Sequence, residues 1–161
     1  MGKPPRRDLR ALLDVPQGDL QATLASRLAR LGFPALRPAQ VALLVRVGAD
    51  ADRGVRLPDL VAALELPKQT VGDMVDDLET CKMVERVADP DHGVIKRIRL
   101  GAKGRVWAVE VKRCATTTEA RWASRLGHTK MRTLRLLLEE LAATVEVEAP
   151  TALAPATKRR R

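Results

Sequence analysis

Two histidines, two cysteines and one short polar run are the residues of this chain whose types could carry specific chemistry. His92 and His128 stand 36 residues apart, Cys81 and Cys114 lack C-x-x-C spacing, and no Ser, Cys or carboxylate lies at a motif distance from either histidine. Neither a nucleophile with its base nor a metal-ligand set can be assembled from them, so the expectation is a protein that is not an enzyme and needs no cofactor or metal. The polar run is Lys68, Gln69 and Thr70, placed after a Leu66-Pro67 turn and before Val71, Met74, Val75 and Leu78. That i, i+3, i+4, i+7 spacing predicts a helix buried on one side, whose first turn presents an ammonium, an amide and a hydroxyl. Such a helix tip suits base edges in the major groove of duplex DNA, with Lys68, Gln69 and Thr70 as candidate readers. Further along, Asp73, Asp76, Asp77 and Glu79 would repel phosphates, so only the first turn can penetrate, with Asp73 an acceptor for the cytosine amino group.

The elements that must position this tip are legible from periodicity. Leu60, Val61 and Leu64 predict a short helix opened by Pro58, which with the Leu66-Pro67 turn and the longer helix makes a helix-turn-helix. From Met83 the pattern changes to MVERVAD and VIKRIRL around DPDHG, a β-hairpin with a polar turn. Alternation puts Ile98 and Leu100 on one face and Arg97 and Arg99 on the other, expected to project freely as a charged ribbon. Arg97, Arg99, Lys96 and Arg56 are the candidate phosphate contacts, and Arg86 is expected to pair with Asp89 or Asp91 and hold the hairpin's shape. Upstream, Leu20, Leu24, Leu28 and Leu31 predict a helix capped by Asp19, and a second runs from about Arg37 to Gly48 with Val41, Leu44 and Val45 buried. Downstream, Gly101 is expected to open a long helix to about Arg125, with Val106, Val109, Val111, Cys114 and Ala115 apolar. A last helix carries Met131, Leu134, Leu138, Leu141 and Val145 at heptad spacing, widened by Leu136 and Leu137 beyond what one neighbour covers, which suggests a second subunit.

Composition agrees. At 161 residues with 45% hydrophobic but only 2% aromatic content, a core of Leu, Val and Ala favours helices, and no segment approaches a membrane span or a signal peptide. A soluble, cytoplasmic protein is expected, with Cys81 and Cys114 as packing residues. The net charge is +9, of which residues 1–10 contribute +3 and 157–161 contribute +4, so the basic character of the body lies in the hairpin. The domain reading is a flexible basic arm over 1–18, helical dimerisation segments over 19–36 and 101–147, a winged helix-turn-helix over 37–100, and a disordered basic tail over 148–161. The fold class is mainly α with a small β-hairpin wing.

LRPAQVALLVRV, LPDLVAALELPKQTVGDMVDDLETCKMVERV, ADPDHG and RLGAKG, in this order and spacing, resemble the MarR family of transcriptional regulators over about residues 20–145. The resemblance implies a homodimer whose terminal helices form the dimer layer, two winged domains on a pseudo-palindromic operator, repression as the usual outcome, and release by a small aromatic or phenolic effector. It also places Phe33 and Trp107 near the family's ligand crevice, as candidate ligand contacts, although two scarce aromatics more commonly just fill the core. Three departures stand out. His92 and Val94 occupy the family's D-x-R wing positions, leaving His92, Lys96 or Arg97 to supply the wing contact. Lys82 replaces a helix-ending Gly, at the cost of a left-handed backbone, and Gly101 replaces a Thr. The alternative reading is a dimeric architectural or interaction protein with the same fold and little sequence specificity.

Overall fold

The computed structural model describes residues 8–50, 52–91 and 93–148; residues 1–7 of the expected arm, His92 and residues 149–161 of the expected tail lie outside them. Helix α1 spans Leu9–Arg30, α2 Pro38–Ala49, α3 Leu57–Leu64 and α4 Lys68–Thr80, with the two-residue strand β1 (Val55–Arg56) before α3. Strands β2 (Val84–Ala88) and β3 (Lys96–Leu100) follow, then α5 (Ala102–Leu126) and α6 (His128–Glu148). The chain divides into two units, one to Thr118 and one from Glu119.

The first helix departs from expectation. It starts ten residues before the anticipated Asp19 cap, because the Asp8 side chain accepts from the Ala11 N–H at 2.7 Å and Pro16 is accommodated inside the helix. Residues 9–18 therefore extend α1 instead of forming an arm, although Pro16 offers no N–H to the preceding turn. In α2 the buried stripe is Gln40, Leu43, Leu44 and Val47, one residue round from the expected face, which leaves Val45 59% exposed. Gln40 turns back to accept from the Arg37 N–H at 3.0 Å, closing the helix start.

α3 and α4 form the expected helix-turn-helix, with Leu60, Val71, Met74, Val75 and Leu78 in one core with Leu43, Leu44, Val47 and Trp107. Burying this stripe fixes the rotation of α4, and with it the outward direction of its remaining side chains. The expected hairpin is present, but β3 is the centre of a three-stranded antiparallel sheet ordered β1-β3-β2, with Val55 opposite Ile98 and Val84 opposite Leu100. A two-residue strand is too short for alternation to reveal. Val84, Ile98 and Leu100 face the core.

The junction into α5 depends on close backbone approach. Lys82 adopts the left-handed conformation at φ 60° that its position demanded, and the Gly101 N–H donates to Met83 O at 2.9 Å. A Cβ on Gly104 would lie 1.9 Å from Met83 O, so any larger residue there would force the wing away from α5. On α5, Trp107 and Cys114 are buried, whereas the expected apolar positions Val106 and Val109 are 53% and 63% exposed. In the second unit, Arg135 of α6 closes on Glu119, and Leu134, Leu136, Leu137, Leu138, Leu141 and Val145 are all exposed.

Candidate nucleic-acid interface and adjoining cavity

Lys68, Gln69 and Thr70 form the first turn of α4, and all three are exposed, directly after an exposed Pro67 that lacks an N–H. Lys68 makes no ion pair among the described residues. Asp73, one turn on, is also exposed. The remaining carboxylates of α4 are paired. Arg86 of β2 donates through Nη2 to Asp76 and through Nη1 to Glu79, and Arg37 donates to Asp77 at 3.1 Å. Asp76 and Glu79 together hold the Arg86 guanidinium above its ordinary value, the bond that Arg86 donates to Asp76 contributing most. Arg86 thus serves the structure, with partners other than the expected Asp89 and Asp91, because its side chain leaves the hairpin on the face shared with Ile98, toward α4.

The cations of the sheet are also engaged. Arg97 and Arg99 share a face as alternation requires, but neither projects freely. Arg97 Nε donates to Asp89 Oδ2 at 2.9 Å and its Nη1 to Gly54 O at 3.0 Å, leaving its side chain 14% exposed. Arg56 Nη2 lies 2.7 Å from the same Asp89 oxygen, and Arg99 Nε donates to Glu85 Oε1 at 2.7 Å. Asp89 is fully buried beneath these two arginines, Arg56 and Arg97, and also accepts from the Asp91 N–H at 3.0 Å. Burial pushes its carboxyl up, but the Asp91 N–H and the Arg56 and Arg97 guanidinium groups outweigh that and hold it well below the usual carboxylate range. Arg99 lowers the Glu85 carboxyl in the same way. Arg53 pairs with Asp91 at 3.3 Å near the hairpin turn. Lys96 remains exposed and unpaired among the described residues, as does the apolar tip, where Val94 is 97% exposed. His92 lies outside the described residues.

Phe33 and Trp107, expected near each other, line one cavity of about 670 Å³ between α1, the 33–38 segment, α2 and α5. Leu24, Leu28, Leu36 and Val41 complete most of its wall, and Gln21 is the polar side chain at it. Sequence reasoning missed these wall residues as a group, although the Leu20, Leu24, Leu28 stripe was the available signal for which side of α1 faces inward. Beside the cavity, Arg27 of α1 closes on Glu110 of α5, and this bond to Arg27 lowers the Glu110 carboxyl against the opposing effect of burial. The Trp107 indole Nε1 is buried without an acceptor. No cluster of His, Cys, Asp or Glu among the described residues could hold a metal ion, and no described helix is long and apolar enough to cross a membrane.

Known proteins share this arrangement. The sequence pattern of the MarR family fits residues 36–93, from the start of α2 to the hairpin turn. S. aureus MepR bound to ethidium bromide superposes with a TM-score of 0.65 at 17% identity, covering 86% of this chain and 97% of that one. A mutant of S. aureus MepR bound to an oligodeoxyribonucleotide gives 0.62 at 18% identity, over 87% and 99% of the two chains. CouR from Rhodococcus jostii bound to p-coumaroyl-CoA gives 0.55 at 23%, over 91% and 96%. No curated protein matches. Residues 36–93 therefore match the MarR-family pattern, in a chain whose fold is similar to that of S. aureus MepR and R. jostii CouR.

Proposed function

We propose that the chain is a homodimeric DNA-binding transcriptional repressor that places the first turn of α4 in the major groove of each half of a pseudo-palindromic operator. One observation carries this reading: Lys68, Gln69 and Thr70 stand exposed on α4, while Asp76, Asp77 and Glu79 behind them are each paired with Arg86 or Arg37. A helix so arranged meets phosphates with most of its negative charge offset and base edges with free donors. Lys96 contacts the backbone from the wing, and Asp73 accepts from cytosine where the tip reaches far enough. Arg56 and Arg97 support the wing through Asp89, so their contribution to phosphate binding is indirect.

The dimer is formed through α6, whose exposed leucines continue for several turns and would be costly to leave in water. Two-fold symmetry then sets the half-sites about one helical turn apart. The cavity at Phe33 and Trp107 holds a small effector that controls release. Support comes from proteins of the same fold: CouR was solved with p-coumaroyl-CoA bound, and MepR with ethidium bromide and, as a mutant, with an oligodeoxyribonucleotide. Footprinting on selected duplexes tests the proposal; a symmetric protected region is expected, and an asymmetric or sequence-independent footprint overturns it.

A second reading, an architectural protein of low sequence specificity, draws support from the wing, where Arg53, Arg56, Arg97 and Arg99 are all held by carboxylates. Competition separates the two: random duplex displaces an architectural protein as readily as its selected site does.

A further inference from the structure

The hairpin ends in an apolar tip on a charged, braced base. Val94 is 97% exposed, with Ile95 beside it at 39%, and no other large apolar side chain among the described residues exceeds 64%. The Asp89 N–H donates to Ile95 O at 2.8 Å, and the Asp89 carboxylate accepts from the Asp91 N–H at 3.0 Å, so the turn is tied across its base. Arg56 and Arg97 share that one carboxylate, and Lys96 is exposed and unpaired, which leaves the base positive. Such a base is drawn to a polyanion, yet what its end presents is aliphatic carbon. The helix α3, eight residues and so about 12 Å long, begins beside this base at Arg56 and leads to the turn before Lys68. The hairpin base and the α4 tip therefore lie by opposite ends of α3, a separation of about one groove width of B-DNA.

We propose that Val94, with Ile95 behind it, enters the minor groove next to the major-groove site as an apolar wedge that partly unstacks one base step and kinks the duplex. This rests on the DNA-binding reading above and adds a specificity determinant to it. Pyrimidine–purine steps, TA and CA/TG, unstack most readily and are favoured where the wing lands. Valine has no donor for base edges, so the preference comes from the deformability of the step and not from hydrogen bonding. The bonds across the turn serve this role, because a loop ordered only on binding loses affinity to that ordering.

Duplexes recovered by the full native chain from a random-sequence pool are the probes, and permanganate, which attacks unstacked thymines, reads the wedge. In the native complex, a thymine in a pyrimidine–purine step flanking the major-groove site is expected to react about fivefold faster than in free duplex. Val94→Ser, at a position with almost no packing to lose, should return that rate close to the free value. A second selection with Val94→Ser should lose the enrichment of those steps, whereas Val94→Leu, a larger wedge, should keep both signals. Thymines in the native complex that react no faster than in free duplex overturn the inference and leave the DNA-binding reading standing. Reactivity unchanged in Val94→Ser overturns the assignment of the wedge to Val94. A native chain that retains no duplex overturns the DNA-binding reading itself.

Discussion

Arg86 of β2 closes on Asp76 of α4, so the first strand of the wing and the last turns of the helix before it share one guanidinium. With Glu79 as its second partner, that group places a positive charge where two carboxylates would otherwise face a polyanion. Replacing it with Ala frees Asp76 and Glu79 on the helix proposed to enter the groove. Arg86→Ala is expected to weaken duplex binding about tenfold at moderate salt, with a stability loss of only about 1 kcal/mol because the pair is partly solvated. Anisotropy titrations and urea unfolding measure the two, and adding Asp76→Asn with Glu79→Gln should restore most of the binding.

The exposed tip of α4 is the proposed source of the sequence preference. Gln69→Ala and Lys68→Ala should each reduce discrimination between the selected site and random duplex by about 1–3 kcal/mol, while the fold is unchanged because neither side chain is buried. Competition binding reads this; equal discrimination in both variants would remove the tip from base recognition.

At the wing tip, Val94 stands 97% exposed where the resembling family places an Arg. Val94→Arg is expected to raise duplex affinity and steepen its salt dependence by about one counterion. A salt titration of the variant against the native chain is sufficient, and an unchanged slope would mean that the tip does not approach the phosphates.

Asp89 sets an acid limit on the wing. Its folded carboxyl titrates below its unfolded value, so its stabilising contribution is complete above the unfolded value of about 3.9 and is withdrawn as pH falls from there toward the folded value. Thermal melts should therefore show a declining Tm on the acid side that Asp89→Asn flattens. The same variant should lower Tm by several degrees at neutral pH, since it leaves Arg56 and Arg97 sharing a neutral amide. Asp91→Asn, which disturbs only the exposed pair with Arg53, should change little.

The leucine face of α6 is the proposed dimer seam. Leu137→Glu combined with Leu141→Glu should yield a monomer by light scattering, with operator affinity reduced about a hundredfold through loss of the second half-site. A dimer that survives both charges would move the interface elsewhere.

Helix-turn-helix and hairpin were readable from residue order because their signals are local: Val71, Met74, Val75 and Leu78 must share a side once a helix forms, and Ile98 and Leu100 must share a face once a strand does. Local signals were weaker at two places. The stretch before Asp19 read as an arm, yet Asp8 caps a helix that begins at Leu9 and runs through Pro16. Val55–Arg56 offered too few residues for alternation, and only pairing with β3 makes them a strand.

What residue order determined by itself was therefore the tip, Lys68 to Thr70, and the scaffold that turns it outward, since both follow from short-range periodicity. Which charges remain available was decided only by the fold. Arg56, Asp89 and Arg97 come from segments separated in sequence, as do Arg37 and Asp77, and Phe33 and Trp107. Whether a guanidinium faces solvent or a carboxylate depends on distances of a few ångströms between such segments, and those are set by packing the shared core, not by any spacing along the chain.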